Sequence, residues 1–204
     1  MAVSRPRRSE TCPPLPDEPS VSDARLVDAV RLSGVSGHQL RVLLNRASDH
    51  DGLSLLQIEE VLGDGDAFGV ALRYSREGDP LETAGGIATA LPLIEAAMFP
   101  VINGDVFCDY DFARFAGIMA RMQSENTLAH LVLVDNPPHH PQGDFMLDGG
   151  WVKNEPGGHR LTFAGIGVYR RDLFASLKPW QKAPLAPLLK EAMNQGKVTG
   201  EHFP

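Results

Sequence analysis

Long apolar runs are missing from this 204-residue chain, since no window approaches the roughly 18 consecutive apolar residues of a transmembrane helix. No apolar core follows the first five residues, as it would in a secretory signal. Cysteine is scarce: Cys12 and Cys108 are the only two, and they lie far apart in the sequence. A disulfide framework and a zinc site are therefore not expected. Together these absences predict a cytoplasmic protein with no membrane partner.

Positive charge is also limited. The chain carries 19 Lys and Arg against 26 Asp and Glu, which gives a net charge of −7. Surfaces that bind nucleic acids are basic because they must neutralise phosphates, so a nucleic-acid partner is not expected. Single nucleotides are not excluded, because backbone amides and metal ions hold them as often as basic patches do.

The first fifty residues differ from the rest of the chain. They contain no lysine, and residues 12–19 include four prolines, a density that blocks both helices and central strands. Only residues 24–32 and 39–44 have apolar positions at helical spacing, and both runs are short. We therefore predict that residues 1–54 form an atypical, poorly structured and at best loosely helical segment, and that residues 55–204 form a partial domain.

Beyond this segment, strand patterns alternate with helix patterns. The predicted helices span residues 53–62, 85–97, 111–123 and 185–194, and the predicted strands span 70–74, 99–102, 131–134, 145–147, 151–153 and 161–169. The apolar run Leu131–Val134 is typical of a strand buried on both faces. This alternation predicts an α/β fold with a largely parallel mixed sheet and flanking helices.

The first candidate site is the run Val101–Asp105, in which an apolar strand ends in an Asn-Gly turn followed by a carboxylate. Ligands of open α/β sheets bind at the carboxyl ends of the strands. Asp105 could hold Mg²⁺ there, since this ion prefers oxygen ligands and bridges to substrate phosphates. An Asp that merely caps the next element explains the pattern equally well.

Two runs containing glycine are further candidates. Pro80–Gly86 places small residues at the entry of a helix, where backbone N–H groups can approach a phosphate or a base. Thr162–Gly167 places two glycines in a strand, which often marks the close approach of a ligand or of another backbone. The alternatives are an ordinary flexible connection for the first run and a strand that makes room for a helix for the second.

A polar loop after the predicted strand Leu131–Val134 is the last candidate. It contains Asn136, two adjacent histidines and Asp144, and it could grip a sugar or simply be a solvated loop. Adjacent histidines point in different directions on most backbones, so they seldom bind one metal ion together.

Taken in order, these segments resemble the sugar-1-phosphate nucleotidyltransferase family over residues 55–203. The run 129–137 and the triplet Gly143-Asp144-Phe145 are the most specific matches. The other matches lie at residues 58–65, 73–75, 81–86, 103–105, 109–113, 162–166 and 196–202. The resemblance implies an incomplete Rossmann-like fold of the nucleotide-diphospho-sugar transferase type. It also implies transfer of a nucleoside monophosphate, with UTP as the favoured donor, to a sugar-1-phosphate with release of pyrophosphate.

The resemblance also implies roles for individual residues. Asp105 would be the catalytic Mg²⁺ ligand. Residues of the first glycine run would line the nucleotide pocket: Glu82, Thr83 and Gly85. Residues from three separate segments would face the sugar-1-phosphate: Asn103, Asn136, Asp144 and Gly165.

The resemblance has gaps. The family opens with a strand and a Gly-rich loop that carries an essential Arg, and residues 1–54 do not contain this pattern. The family continues to a second metal-binding Asp, whereas Pro204 is the last residue here. Ala84 replaces a family glycine, and its methyl group could crowd the base. An out-of-frame translation of the missing loop would explain residues 1–54, and an inactive remnant that binds a sugar phosphate is the alternative function.

Overall fold

The computed structural model describes residues 41–46, 55–77, 79–104, 106, 108–155 and 157–204. The strands in these ranges are β1 (Arg41–Arg46), β2 (Ala71–Arg76), β3 (Met98–Ile102), β4 (Ala129–Val134), β5 (Phe145–Asp148), β6 (Trp151–Lys153), β7 (Arg160–Arg170) and β8 (Val198–His202). The α-helices are α1 (Leu55–Leu62), α2 (Glu82–Ala90), α3 (Arg114–Glu125) and α4 (Leu185–Asn194).

Most of the predicted elements are confirmed within a few residues. The helix α4 has the predicted bounds, and the predicted hairpin joins β5 to β6 through Gly149 and Gly150, which both have positive φ as a type I′ turn requires. The helix predicted over residues 85–97 is shorter. It ends at Ala90 and is followed by a 3₁₀ turn, because Pro92 has no N–H group with which to continue the α-helix.

The strands form one large and one small sheet. In the six-stranded sheet the order is β3–β7–β4–β8–β6–β5, and the start of β7 also pairs with β5. The smaller sheet contains β1 and β2, which run parallel. The expected α/β class and mixed sheet are confirmed, but antiparallel pairing predominates among the described strands. The reason is that turns and a hairpin, rather than helices, join β4 to β7, and such short connections produce antiparallel neighbours.

The N-terminal segment contains one described element, and it corrects the sequence prediction. Residues 39–44 were expected to be loosely helical at best, whereas Arg41–Arg46 is a strand paired with β2 over its full length. A short apolar run does not by itself distinguish a helix from a strand, and here pairing with β2 decides the conformation. The rest of the segment, residues 1–40 and 47–54, lies outside the described residues.

Helices cover both faces of the large sheet. Alternate residues of β4 point into two cores, so that Leu131 and Leu133 pack in one and Val132 in the other. The first core contains α2 and α4, and the second contains α3 together with Tyr110 and Phe112. The prediction that β4 is buried on both faces is therefore confirmed, and the sheet is the middle layer of an α/β/α sandwich.

The outer edge of β3 has no strand partner among the described residues. Hydrogen bonds from Asn103 N–H to Gly165 O and from Arg171 N–H to Ala97 O bracket the β3–β7 ladder. By antiparallel alternation, the N–H groups of Met98 and Ile102 point away from β7. A strand edge without a partner strand invites pairing with another chain.

We therefore expect marginal stability and concentration-dependent association. Light scattering coupled to gel filtration should show the apparent mass rising with protein concentration. A monomer that unfolds in one sharp and reversible thermal transition would contradict this prediction.

Candidate active site

The candidate sugar-phosphate residues lie at one edge of the large sheet. The strands β3, β4 and β8 run in the same direction, because β7 is antiparallel to both β3 and β4 while β8 is parallel to β4. Asn103 and Asn136 therefore follow their strands at the same edge, where β7 also begins. This is the carboxyl edge, at which α/β sheets bind their ligands.

Asn103 and Gly165 are in direct contact. The backbone N–H of Asn103 donates to the Gly165 carbonyl oxygen at 2.9 Å. Gly165 is buried with φ +74°, and a Cβ atom there would lie 2.7 Å from the Asn103 Nδ2 atom. The β4–β7 register shifts here, between Leu131 and Leu133. Gly165 is therefore needed for a bulge that brings β7 against Asn103, which agrees with the interpretation of its run as a close backbone approach.

The predicted metal ligand Asp105 lies outside the described residues. Its neighbours form a turn in which the Val106 N–H donates to the Asn103 carbonyl oxygen at 3.1 Å. In the described part of the chain, no group of three His, Cys, Asp or Glu side chains could hold a metal ion. The described residues alone therefore do not supply a complete ligand set for Mg²⁺.

Asn136 is fully engaged with its own loop. Its Nδ2 group donates to the carbonyl oxygens of Arg160 at 2.8 Å and Pro141 at 3.2 Å. Its Oδ1 atom accepts a hydrogen bond from the Thr162 hydroxyl at 2.8 Å. Because both amide hydrogens are used within the protein, this side chain fastens the polar loop to the start of β7.

Asp144 closes the other end of the polar loop. Its Oδ2 atom accepts the Phe163 N–H at 2.8 Å, two residues before Gly165. Its Oδ1 atom lies 3.1 Å from His140 Nε2, and both side chains are partly exposed. The carboxylate thus links the loop to the bulged strand through one oxygen, while the His140 ring contacts the other.

The predicted nucleotide turn lies at the start of α2. Glu82 is the first residue of the helix and has φ +59°, a conformation that residues other than glycine rarely adopt. Thr83 is exposed, whereas Gly85 is buried. Ala84 is fully buried in the core that Val101 and Phe163 also contact, so its methyl group points into the protein. A methyl group buried in this way is not positioned to crowd a bound base.

A polar network beneath β4 and β8 was not identified as a site from the sequence. The Glu201 carboxylate accepts a hydrogen bond from the Tyr110 hydroxyl at 2.5 Å and another from Arg114.

His130 is buried, with Nδ1 3.0 Å from the Thr199 hydroxyl and Nε2 3.9 Å from Glu201. Burial lowers the pKa of His130 to about 4 and raises the pKa of Tyr110. The family resemblance already matched residues 109–113 and 196–202, which contain three members of this network, and that match was the signal from which it could have been found.

Solved structures identify the fold. The structure superimposes on a Bacillus anthracis protein assigned as a glucose-1-phosphate thymidylyltransferase with a TM-score of 0.67, at 14% identity over 90% of this chain and 74% of that one. It also superimposes on HddC from Yersinia pseudotuberculosis complexed with GMP-PN, with a TM-score of 0.64, at 20% identity over 89% of this chain and 76% of that one. The fold is therefore that of the nucleotide-diphospho-sugar transferases, as predicted.

One curated relative is considerably more similar in sequence. The chain is 48% identical over 148 residues to the N-acetylmuramate alpha-1-phosphate uridylyltransferase of Neisseria meningitidis serogroup B, which covers 71% of this chain and 64% of the relative. The resemblance to the sugar-1-phosphate nucleotidyltransferases is thereby confirmed. The chain spans 64% of that relative's length, which is slightly less than two thirds. No family model matches the chain, and none of its described helices is long and apolar enough to cross a membrane.

Proposed function

We propose that this chain transfers UMP from UTP to a sugar-1-phosphate and releases pyrophosphate. The observation that carries the proposal is the 48% identity to a uridylyltransferase over 148 residues. The contact between Asn103 and Gly165 at the carboxyl edge of the sheet supports it, because this is where such a fold binds its ligands.

The reaction requires two anions to be held in line. A phosphate oxygen of the sugar-1-phosphate attacks the α-phosphorus of UTP, and the bond from that phosphorus to the bridging oxygen breaks as pyrophosphate leaves. In our proposal the turn formed by Glu82, Thr83 and Gly85 holds the nucleotide. The sugar phosphate lies at the sheet edge against Asn103 and Gly165, with Asn136 and Asp144 ordering the loop beside it. Positioning of this kind supplies much of the rate enhancement in phosphoryl transfer.

Mg²⁺ is the proposed cofactor and Asp105 its proposed protein ligand. The described residues do not form a ligand set by themselves, so oxygens of the bound phosphates would supply further ligands, as Mg²⁺ commonly requires. When bound, the ion would offset the negative charge of the phosphates. An N-acetylmuramate substrate would place the reaction in cytoplasmic cell-wall recycling.

Substitution of Asp105 tests this assignment. We expect Asp105→Asn to reduce the rate of pyrophosphate release from UTP and N-acetylmuramate-1-phosphate by about 100-fold or more, the scale seen when one electrostatic group is removed from an active site. A colorimetric pyrophosphate assay at saturating Mg²⁺ measures the rate. The matched control is Asp172→Asn, because Asp172 is an exposed carboxylate that follows β7, at the opposite edge of the sheet from Asn103.

Equal rates in the wild type and Asp105→Asn would contradict the assignment of Asp105. The alternative function, an inactive remnant, predicts a different result. It requires sugar-phosphate binding by the wild type without any release of pyrophosphate.

A further inference from the structure

Residues 178–183 lie along the predicted nucleotide turn and are fastened to it. The Ala183 N–H donates to the Leu81 carbonyl oxygen at 3.0 Å, and the Gly85 N–H donates to the Ala183 carbonyl oxygen at 3.0 Å. Lys182 Nζ lies 3.7 Å from the Glu82 carboxylate. The 178–183 segment therefore contacts the same turn that was expected to line the nucleotide pocket.

The glycine at position 85 is required by this segment. A Cβ atom on Gly85 would lie 2.3 Å from the Gln181 carbonyl oxygen and 3.0 Å from the Ala183 nitrogen, and the first distance is shorter than close-packed atoms allow. The sequence alone suggested that the glycine leaves room for a base or a phosphate. In the structure the backbone of the 178–183 segment occupies that room, so the shape of the turn depends on where this segment lies.

The Thr89 side chain makes hydrogen bonds to both elements. The Thr89 hydroxyl donates to the Gly85 carbonyl oxygen at 2.9 Å and accepts the Trp180 N–H at 2.9 Å. Trp180 has φ +65°, and its side chain is 63% exposed. The hydroxyl thus holds the turn on one side and the 178–183 segment on the other.

We propose that the 178–183 segment is the outer wall of the nucleotide pocket and that Thr89 is a positioning residue that fixes this wall against the turn at Glu82–Gly85. The ligand class is a nucleoside triphosphate, and the inference rests on the proposed function. Thr89 acts through the backbone of Gly85 and Trp180 and touches no reacting atom.

Two substitutions at position 89 separate the hydroxyl from the shape of the side chain. Thr89→Val keeps the size but loses both hydrogen bonds, whereas Thr89→Ser keeps the hydroxyl. We expect Thr89→Val to raise the Kd for UTP with Mg²⁺ by about tenfold, the scale of two neutral hydrogen bonds, and Thr89→Ser to stay within about twofold of the wild type. Calorimetric titration measures both constants. The Kd for N-acetylmuramate-1-phosphate should not change in either variant, which a general loss of folding would not produce.

Trp180 gives a second measurement that does not depend on how well Thr89→Val folds. The chain contains two tryptophans, so Trp151→Phe leaves Trp180 as the only indole. Saturating UTP with Mg²⁺ should change the fluorescence of this variant, with the same Kd that calorimetry reports.

The outcomes distinguish the inference from the proposed function. If calorimetry shows UTP binding but Trp180 fluorescence is unchanged, or if Thr89→Val binds UTP as well as the wild type does, the inference is wrong and the proposed function stands. If the wild type binds no UTP at all, both are overturned.

Discussion

Replacement of Gly165 by alanine is expected to lower the free energy of unfolding by about 2 kcal/mol and to weaken sugar-phosphate binding at least tenfold. Two costs add at this position. The backbone has φ +74°, which costs a residue with a Cβ atom on the order of 1–3 kcal/mol. The new methyl group would also lie 2.7 Å from Asn103 Nδ2, so the Asn103 side chain must move away from the sheet edge.

The matched control is Gly117→Ala. Gly117 lies on α3, and a Cβ atom there would meet nothing within 4 Å. The same chemical change should therefore stabilise the helix by about 1 kcal/mol without any effect on ligand affinity. Urea denaturation and calorimetric titration of N-acetylmuramate-1-phosphate measure the two quantities. Our assignment of the bulge would not survive if Gly165→Ala behaved like Gly117→Ala.

Acidification below pH 6.5 is expected to remove about 3 kcal/mol of stability through His130 alone. Burial lowers the pKa of His130 to about 4 in the folded protein, whereas an unfolded histidine titrates near 6.5. Between these values the unfolded chain binds a proton that the folded chain does not, so unfolding becomes more favourable as the pH falls. Above pH 6.5 the residue is neutral in both states, and the stabilisation is fully present.

His130→Gln is the variant that isolates this contribution. It removes the titrating group but keeps a polar side chain near the Thr199 hydroxyl, which lies 3.0 Å from His130 Nδ1. The difference in unfolding free energy between wild type and variant, measured in urea from pH 7.5 to pH 4.5, should shrink as the pH falls. A difference that is constant across this range would show that His130 does not titrate as a buried neutral ring.

Local patterns in the sequence were sufficient for most of the fold. The run Leu131–Val134 predicted a strand buried on both faces, and both cores confirm it. The helix Leu185–Asn194 followed from apolar spacing within ten residues. Elements whose conformation depends on a partner distant in sequence were harder to predict. β1 is the example, because only its pairing with β2 settles whether that short apolar run is a strand.

The candidate site was predicted in outline but not in its internal connections. The sequence placed Asn103 and Gly165 together through the family resemblance, and the structure shows them in contact. It did not reveal that the amide of Asn136 is used by its own loop, nor that residues 178–183 lie on the predicted nucleotide turn. The hydroxyl of Tyr110 meets Glu201 across 91 positions of the chain. Periodicity and spacing report on neighbours in sequence, and they contain no signal for contacts of that kind.

Calorimetric titration of the wild-type chain with UTP and Mg²⁺, followed by N-acetylmuramate-1-phosphate, tests the central claim most directly. If the carboxyl edge of the sheet and the turn at Glu82–Gly85 form one site for two phosphate-bearing substrates, both ligands should bind with a stoichiometry near one per chain. Absence of heat from both ligands, with the protein shown to be folded by circular dichroism, would contradict the account.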